Sequence, residues 1–362
     1  MHMKRRNLLL AALGSATLNP SWAQTRIPIA DAHNHIGLLR RNSDAVFRLG
    51  ALLKEAGVSL LSWTVVPDGP FLRFTPNGIE QGRTLAKGDL KASFDNQLSN
   101  ATKGLMGNGA RVLKTVADLD EAAKGEPFVV LTSEGADFLE GTLDDLPSAF
   151  ERGIRHIQLV HYIQNPVGDL QTEKPMHNGL SAFGKQVIQA MNTTGILVDL
   201  AHSTGPSIDQ ALEISTKPMI WSHGWISPTQ GRFNDSIGLL ARRISWLNAR
   251  QIVDKGGVIG LWSVGISDGA KSRYPEYPIA FNPQLRYKTY ATGIAQMVKE
   301  LGADHVCFGT DIEGVGPIGV VNHYRELRQV VDLLSDAGLS DAEVFKVCIG
   351  NYARVLKTAM NT

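Results

Sequence analysis

Residues 181–202 read SAFGKQVIQAMNTTGILVDLAH, and two periodicities meet in them. Phe183, Val187 and Met191 recur at i, i+4 and i+8, the apolar stripe of a helix that stops before Gly195. Ile196 to Leu200 is then a run of strand length, and His202 follows it. A helix feeding a buried strand that ends in a histidine is one turn of an alternating α/β repeat.

Working outward, the same alternation runs from Ile27 to the C-terminus. Eight strand-length runs are expected at Ile27–Ala30, Leu60–Val66, Phe128–Thr132, His156–Val160, Ile196–Leu200, Met219–Ser222, Val258–Trp262 and His305–Gly309. Further helices are expected at Ala45–Ala56, Ser245–Lys255, Tyr287–Leu301, His323–Ala337 and Asp341–Cys348. Eight parallel strands with helices between them make a closed (β/α)8 barrel. Two connections are long, Pro67 to Asn108 and Ser263 to Arg286, the second holding Tyr274, Pro275, Tyr277, Pro278 and Pro283. In a barrel both hang over the C-terminal face, as walls or lids of a pocket or as plain surface insertions.

The chain has 362 residues, 43% hydrophobic and 20% charged, with 36 basic and 35 acidic residues. That balance leaves no excess charge to hold nucleic acid or an anionic membrane. Cys307 and Cys348 are too few and too far apart for a disulfide framework or a CxxC site, so both are expected as small buried apolar residues. Residues 1–23 read as a leader: Lys4-Arg5-Arg6, an apolar stretch from Leu8 to Leu18, and Ser21-Trp22-Ala23 before a cut at Gln24. The Arg5-Arg6 pair resembles a twin-arginine signal, which implies the twin-arginine export machinery as a partner and the periplasm as destination. The stretch is too short to span a bilayer, no transmembrane segment is expected in the mature chain, and residues 24–362 read as one domain.

The polar residues fall where the strands end. Strand 1 runs into Asp31-Ala32-His33-Asn34-His35, strand 3 into Glu134, strand 4 into His161, strand 5 into His202, strand 6 into His223 and strand 8 into Asp311. In a barrel these side chains converge on the mouth. His33 and His35, two apart on a strand, face the same way and can share one ion. Taken singly, each histidine also fits a satisfied interior residue; four at strand ends point to metal. Glu134 has two oxygens with which to bridge two cations about 3.5–4 Å apart, or it caps a helix. Asp311 is placed to handle the proton of a metal-held water, or is an N-cap; Glu313, two further on, is the weaker partner. His161 is a donor to a developing oxyanion or a further ligand. A metal pair acidifies a shared water, so hydrolysis is the expected chemistry.

These residues resemble the membrane dipeptidase family, also called renal dipeptidases, within the metal-dependent amidohydrolase superfamily. The resemblance is carried by Asp31-Ala32-His33-Asn34-His35, Ser133-Glu134-Gly135, Ile157 to His161 with Asn165, and Gly179-Leu180-Ser181. It continues through Gly195 to His202, Ser222-His223, Gly256 to Gly260, His305 to Asp311, and Gly350-Asn351-Tyr352 with Arg354-Val355. It implies two zinc ions bridged by Glu134, one held by His33 and residue 35, the other by His202 and His223. It also implies Asp311 as acid/base, His161 beside the scissile carbonyl, an arginine on the substrate carboxylate, and a homodimer. The family's usual residue at position 35 is Asp, so His35 removes one negative charge from the first site. The stretch from Gly224 to Ala241 is longer than the family's. Counting back from Gly256-Gly257 selects Arg242 for the carboxylate, with Arg243 and Arg232 as rivals.

The sequence is thus expected to encode an exported dipeptidase in which a hydroxide bridging two zinc ions attacks a small-molecule dipeptide. The rival readings are a metal-dependent hydrolase of another small amide, ester or lactone, and a homologue that binds a ligand without turnover.

Overall fold

A computed structural model of the chain describes residues 26–39, 48–75, 78–105, 109–227, 230–231, 241–264, 266–267, 280–281, 285–315 and 319–361. The leader expected at 1–23, the start of the helix expected from Ala45, Arg232, and the segment holding Tyr274, Pro275, Tyr277, Pro278 and Pro283 lie outside these residues.

Eight strands of one nine-stranded parallel sheet form the barrel: β1 (Ile29–Asn34), β2 (Val58–Val65), β3 (Phe128–Ser133), β4 (Ile154–Gln158), β5 (Leu197–Asp199), β6 (Ile220–Trp221), β7 (Val258–Leu261) and β8 (Val306–Phe308), with the short strand Arg111–Val112 added beside β3. The eight pair in chain order. A helix separates each strand from the next: α1 (Leu49–Ala56), α2 (Asp89–Leu105) with α3 (Val116–Ala122), α4 (Asp145–Glu151), α5 (Ala182–Thr194), α6 (Gly205–Ile214), α7 (Trp246–Asp254) and α8 (Arg286–Leu301). After β8 come α9 (Tyr324–Asp332), α10 (Asp341–Phe345) and α11 (Asn351–Met360). This is the (β/α)8 barrel.

Local chemistry sets the boundaries. Ser181 accepts the Gly184 N–H at the start of α5, and Gly195 ends it at φ 92°. Thr204, Ser245 and Ser340 cap α6, α7 and α10 in the same way. Ala30, Leu60, Phe128, Leu197 and Cys307 fill the barrel interior against Tyr352, Val355 and Leu356 of α11, which plugs its lower end. Both cysteines are buried and free.

The structure departs from the expected elements at several points. β1 extends through Asn34, because its pairing with β2 shifts register between Asp31 and Asn34 and so carries the strand past Ala30. The connection after β2 is not loop throughout: it holds a hairpin, Leu72–Thr75 with Gly78–Gln81, and the 17-residue α2. The stripe Leu90, Phe94, Leu98, Ala101 and Leu105 buries α2, a period masked by its Asn and Lys content. Residues 159–181, between β4 and α5, are a third long connection. The helix expected to Ala337 stops at Asp332, and the one expected to end at Cys348 runs on through a π-turn, Lys346–Gly350, into α11.

Closure decides where the site sits. β8 and β1 are joined just beyond the end of β8: Asp311 N–H donates to His33 O (2.9 Å), and His35 N–H donates to Ile312 O (3.0 Å). Asp31, fully buried, accepts from Thr310 N–H (2.9 Å), Thr310 Oγ1–H (2.5 Å) and Tyr324 O–H (2.9 Å). Close approach is also enforced at Gly260 and Gly309, where a Cβ would fall 1.8 and 1.7 Å from the Ser222 carbonyl oxygen. Thr310→Val keeps the shape and removes the hydroxyl held by the Asp31 carboxylate. It is expected to cost about 1.5–3 kcal/mol, read as a lower urea midpoint at unchanged m-value. An unaltered midpoint would mean that the clasp does not secure the seam.

Candidate metal centre

The polar strand ends meet in one buried cluster centred on Glu134. Its N–H continues the β2–β3 ladder by donating to Val65 O (2.9 Å), and its side chain is buried below the mouth. Oε1 lies 3.4 Å from His33 Nε2, 3.1 Å from His202 Nε2 and 3.4 Å from His223 Nε2. Oε2 lies 3.3 Å from His35 Nε2 and 3.4 Å from His161 Nε2. His33 Nε2 and His35 Nε2 are 3.2 Å apart. Two groups of three ligand atoms result, His33–His35–Glu134 and Glu134–His202–His223, sharing the carboxylate.

These spacings fit a cation. Ligand atoms held tetrahedrally at 2.0–2.2 Å from one ion lie about 3.3–3.6 Å apart. The proton positions agree. His35 Nδ1 faces the Thr64 carbonyl at 2.9 Å, which can only accept, so one ring proton is spent there and Nε2, once it gives up any second proton, turns a lone pair inward. Lone pairs of nitrogen and carboxylate oxygen converge, and a cation satisfies them.

The backbone bends sharply to aim these groups. His202 (φ 67°) and Asp311 (φ 54°) are in the left-handed region, which non-glycine residues occupy only when the surroundings hold them there. Asp199 ties the two histidine-bearing strand ends together: Oδ1 accepts from Ala201 N–H (2.9 Å) and Ser222 N–H (3.0 Å), and Oδ2 meets His156 Nε2 (3.1 Å). Burial works to raise Asp199, but the bond and charge of His156 outweigh it and hold the carboxyl at about 2.

Electrostatics divide the cluster in two. Burial opposes a charge on His35, yet Asp311 and Glu134 beside its Nε2 push it up to about 10. Burial, His33 and Arg242 push His223 down to about 4, and burial with Arg242 pushes His202 well down. Burial would raise Glu134 and Asp311, but the surrounding imidazoles hold both carboxyls below their usual range. Asp311 Oδ1 is 3.2 Å from His35 Nε2, while Oδ2 accepts the Trp262 indole N–H at 2.9 Å.

The structure places Arg242 in the same cluster, buried at 1% exposure. Its Nη2 is 3.4 Å from His223 Nε2, its Nε is 3.4 Å from Gln171 Oε1, and its guanidinium lies 5.3 Å from the Trp262 ring centroid. No carboxylate among the described residues forms an ion pair with it. The rival Arg243 is in a short strand, Arg243–Ser245, whose start is tied to Gln171 by its carbonyl. His161 stands at the rim of the ligand atoms with Nδ1 turned to Asp68 Oδ1 (2.7 Å).

Sequence reasoning missed Asp68, Asp137, Tyr162, Gln171 and Trp262. Tyr162 follows His161 directly; burial pushes its hydroxyl up, and the nearby Arg242 charge works against that. Asp137 has no hydrogen-bond partner for either oxygen among the described residues, and burial with the neighbouring Asp68 pushes its carboxyl well up. Trp262 closes the seventh run but reads as one of its apolar residues, and the other four do not end a run, so strand-end position gives no signal for them.

The profile of the membrane dipeptidases, peptidase family M19, matches residues 74–362. The chain belongs to that family. The match begins after His33 and His35, which the fold nevertheless brings to Glu134. Among curated relatives, the dipeptidase aclJ of Aspergillus oryzae is 27% identical over 236 residues, 63% of this chain and 50% of that protein. The dipeptidase tcpJ of Claviceps purpurea is 25% identical over 243 residues, 64% of this chain and 51% of that protein. The chain thus spans about half the length of these relatives. The fold is shared with the M19 metallopeptidase dipeptidase AC (TM-score 0.74, 17% identity, 93% of this chain and 100% of that one). It is also shared with a Rhodobacter sphaeroides metallopeptidase bound to a phosphinate mimic of L-Ala-D-Ala (TM-score 0.71, 18% identity, 92% and 99%). Family membership implies divalent metal ions, and the two ligand groups are the residues that fit them.

The charge division has a measurable consequence. In metal-free protein His35 keeps a proton up to about pH 10, whereas His202 and His223 are already neutral at pH 7. Binding at the His33–His35–Glu134 group therefore releases that proton, and its apparent affinity is expected to rise about tenfold per pH unit from pH 6 to 9. Binding at the Glu134–His202–His223 group is expected to vary little over the same range. Zinc titration of metal-free protein in weakly buffered indicator solution checks this; filling of both groups at pH 7 without proton release would contradict it.

Proposed function

We propose that the protein is a metal-dependent dipeptidase whose two ligand groups each hold one zinc ion and which cleaves the amide bond of small dipeptides. The observation that carries the reading is Arg242, a buried guanidinium beside the ligand groups with no described carboxylate to neutralise it. A buried cation is costly without an anion, and a substrate's C-terminal carboxylate supplies one. A carboxylate held by Arg242, whose Nη2 is 3.4 Å from His223 Nε2, stays beside the ligand groups, which favours a short peptide.

When bound, the ions would polarise that carbonyl and acidify a water towards neutrality. His33, His35, Glu134, His202 and His223 would hold them. The other groups act through their own atoms. Arg242 orients the carboxylate, steadied by Gln171, Trp262 and Tyr162. Burial opposes a charge on His161, but the Asp68 and Glu134 carboxylates push it up, so that with Nδ1–H on Asp68 its Nε2–H is available to donate to the carbonyl oxygen as negative charge develops. Asp311 keeps Oδ2 on the Trp262 N–H, so Oδ1 alone faces the centre, where it takes a proton and returns it to the departing amine.

Two results test this. Asp311→Asn is expected to lower kcat by about 10²–10⁴-fold while metal content stays unchanged; full activity would remove Asp311 from proton transfer. Wild-type protein is expected to prefer free dipeptides over their C-terminal amides, and Arg242→Leu to lose that preference together with at least about 30-fold in kcat/KM. Equal turnover of acid and amide by the wild type would contradict carboxylate recognition and favour hydrolysis of another small amide or ester.

A further inference from the structure

Asp68 lies just beyond β2, at the head of a single 3-10 turn, Gly69–Phe71, where an aspartate ordinarily turns its carboxylate onto the backbone N–H groups that follow. It does not do so here. Both oxygens reach across 93 and 94 residues of sequence instead: Oδ1 sits 2.7 Å from His161 Nδ1, and Oδ2 accepts the Tyr162 N–H at 3.1 Å. The side chain is fully buried, and His161 is only 6% exposed. A buried carboxylate bonded to one ring nitrogen and to the backbone of the next residue fixes an imidazole in position and in tilt, with Nδ1–H turned to the carboxylate.

The geometry points to Asp68 as the positioning residue for His161, anchoring Nδ1–H so that Nε2 is the atom presented to the reaction centre. Nε2 lies 3.4 Å from Glu134 Oε2, at the edge of the ligand groups. A ring free to flip about Cβ–Cγ would offer Nδ1 or a carbon edge there as readily. With Asp68 in place one orientation satisfies both ends, and the ring packs edge-on against His202 with centroids 4.6 Å apart. The turn 69–71 thus links the β2 connection to a residue that touches substrate, although Asp68 itself does not.

This inference rests on the dipeptidase reading for its kinetic arm and stands apart from it in its spectroscopic one. In zinc-loaded protein, Asp68→Asn is expected to lower kcat on the best dipeptide about 10–100-fold with metal content unchanged. In a His161→Gln background the same change is expected to alter kcat less than about twofold, since Asp68 acts through the ring. An equal loss in both backgrounds, as a purely structural role would give, overturns the assignment. Independently of turnover, protein labelled with 15N-histidine is expected to show a downfield Nδ1–H proton, absent in His161→Gln and moved upfield in Asp68→Asn. A resonance unmoved by Asp68→Asn also overturns it. Wild-type protein that shows this resonance pattern but turns over no dipeptide would leave the positioning role standing and remove the dipeptidase reading.

Discussion

Glu134 is a buried carboxylate ringed by five imidazole nitrogens at 3.1–3.4 Å, and the upper half of the barrel is arranged around it. A charge so placed is tolerable only if positive charge accompanies it. Protons supply some in the metal-free state, chiefly on His35; divalent ions supply more and match the spacing of the lone pairs. The requirement explains why the strand ends that face it carry imidazoles and a second carboxylate, Asp311.

The fold delivers this arrangement through constraints that are themselves polar and buried. The Asp31 clasp on Thr310 and Tyr324 brings β8 against β1, setting Asp311 beside His35. Asp199 does the same for β5 and β6, pairing His202 with His223. Asp169 orders the long 159–181 connection by accepting from Met176, His177 and Gly179 N–H groups, and that loop carries Gln171 to Arg242. Three aspartates outside the ligand set therefore hold the ligand set together.

Much of this was legible in the chain. The eight strands follow from runs such as Ile196–Leu200 set between helical stripes, and the six polar strand ends are the residues the barrel gathers. What escaped notice has a common cause. Helix α2 hides an apolar stripe under a polar composition, and Asp68, Gln171 and Trp262 act across 49 to 93 residues of sequence, for which periodicity has no signature. Arg242 was reachable by counting from Gly256-Gly257, but only the fold shows its side chain in the cluster, with Nη2 3.4 Å from His223 Nε2.

The central claim is that Glu134 joins two metal groups. Protein reconstituted with zinc, freed of loosely held ions and assayed by elemental mass spectrometry tests it most directly. About two zinc ions per chain are expected, falling to one or none in Glu134→Ala while His161→Gln keeps both. Wild-type protein that retains no zinc after reconstitution, or a Glu134→Ala variant that still holds two ions, would contradict it.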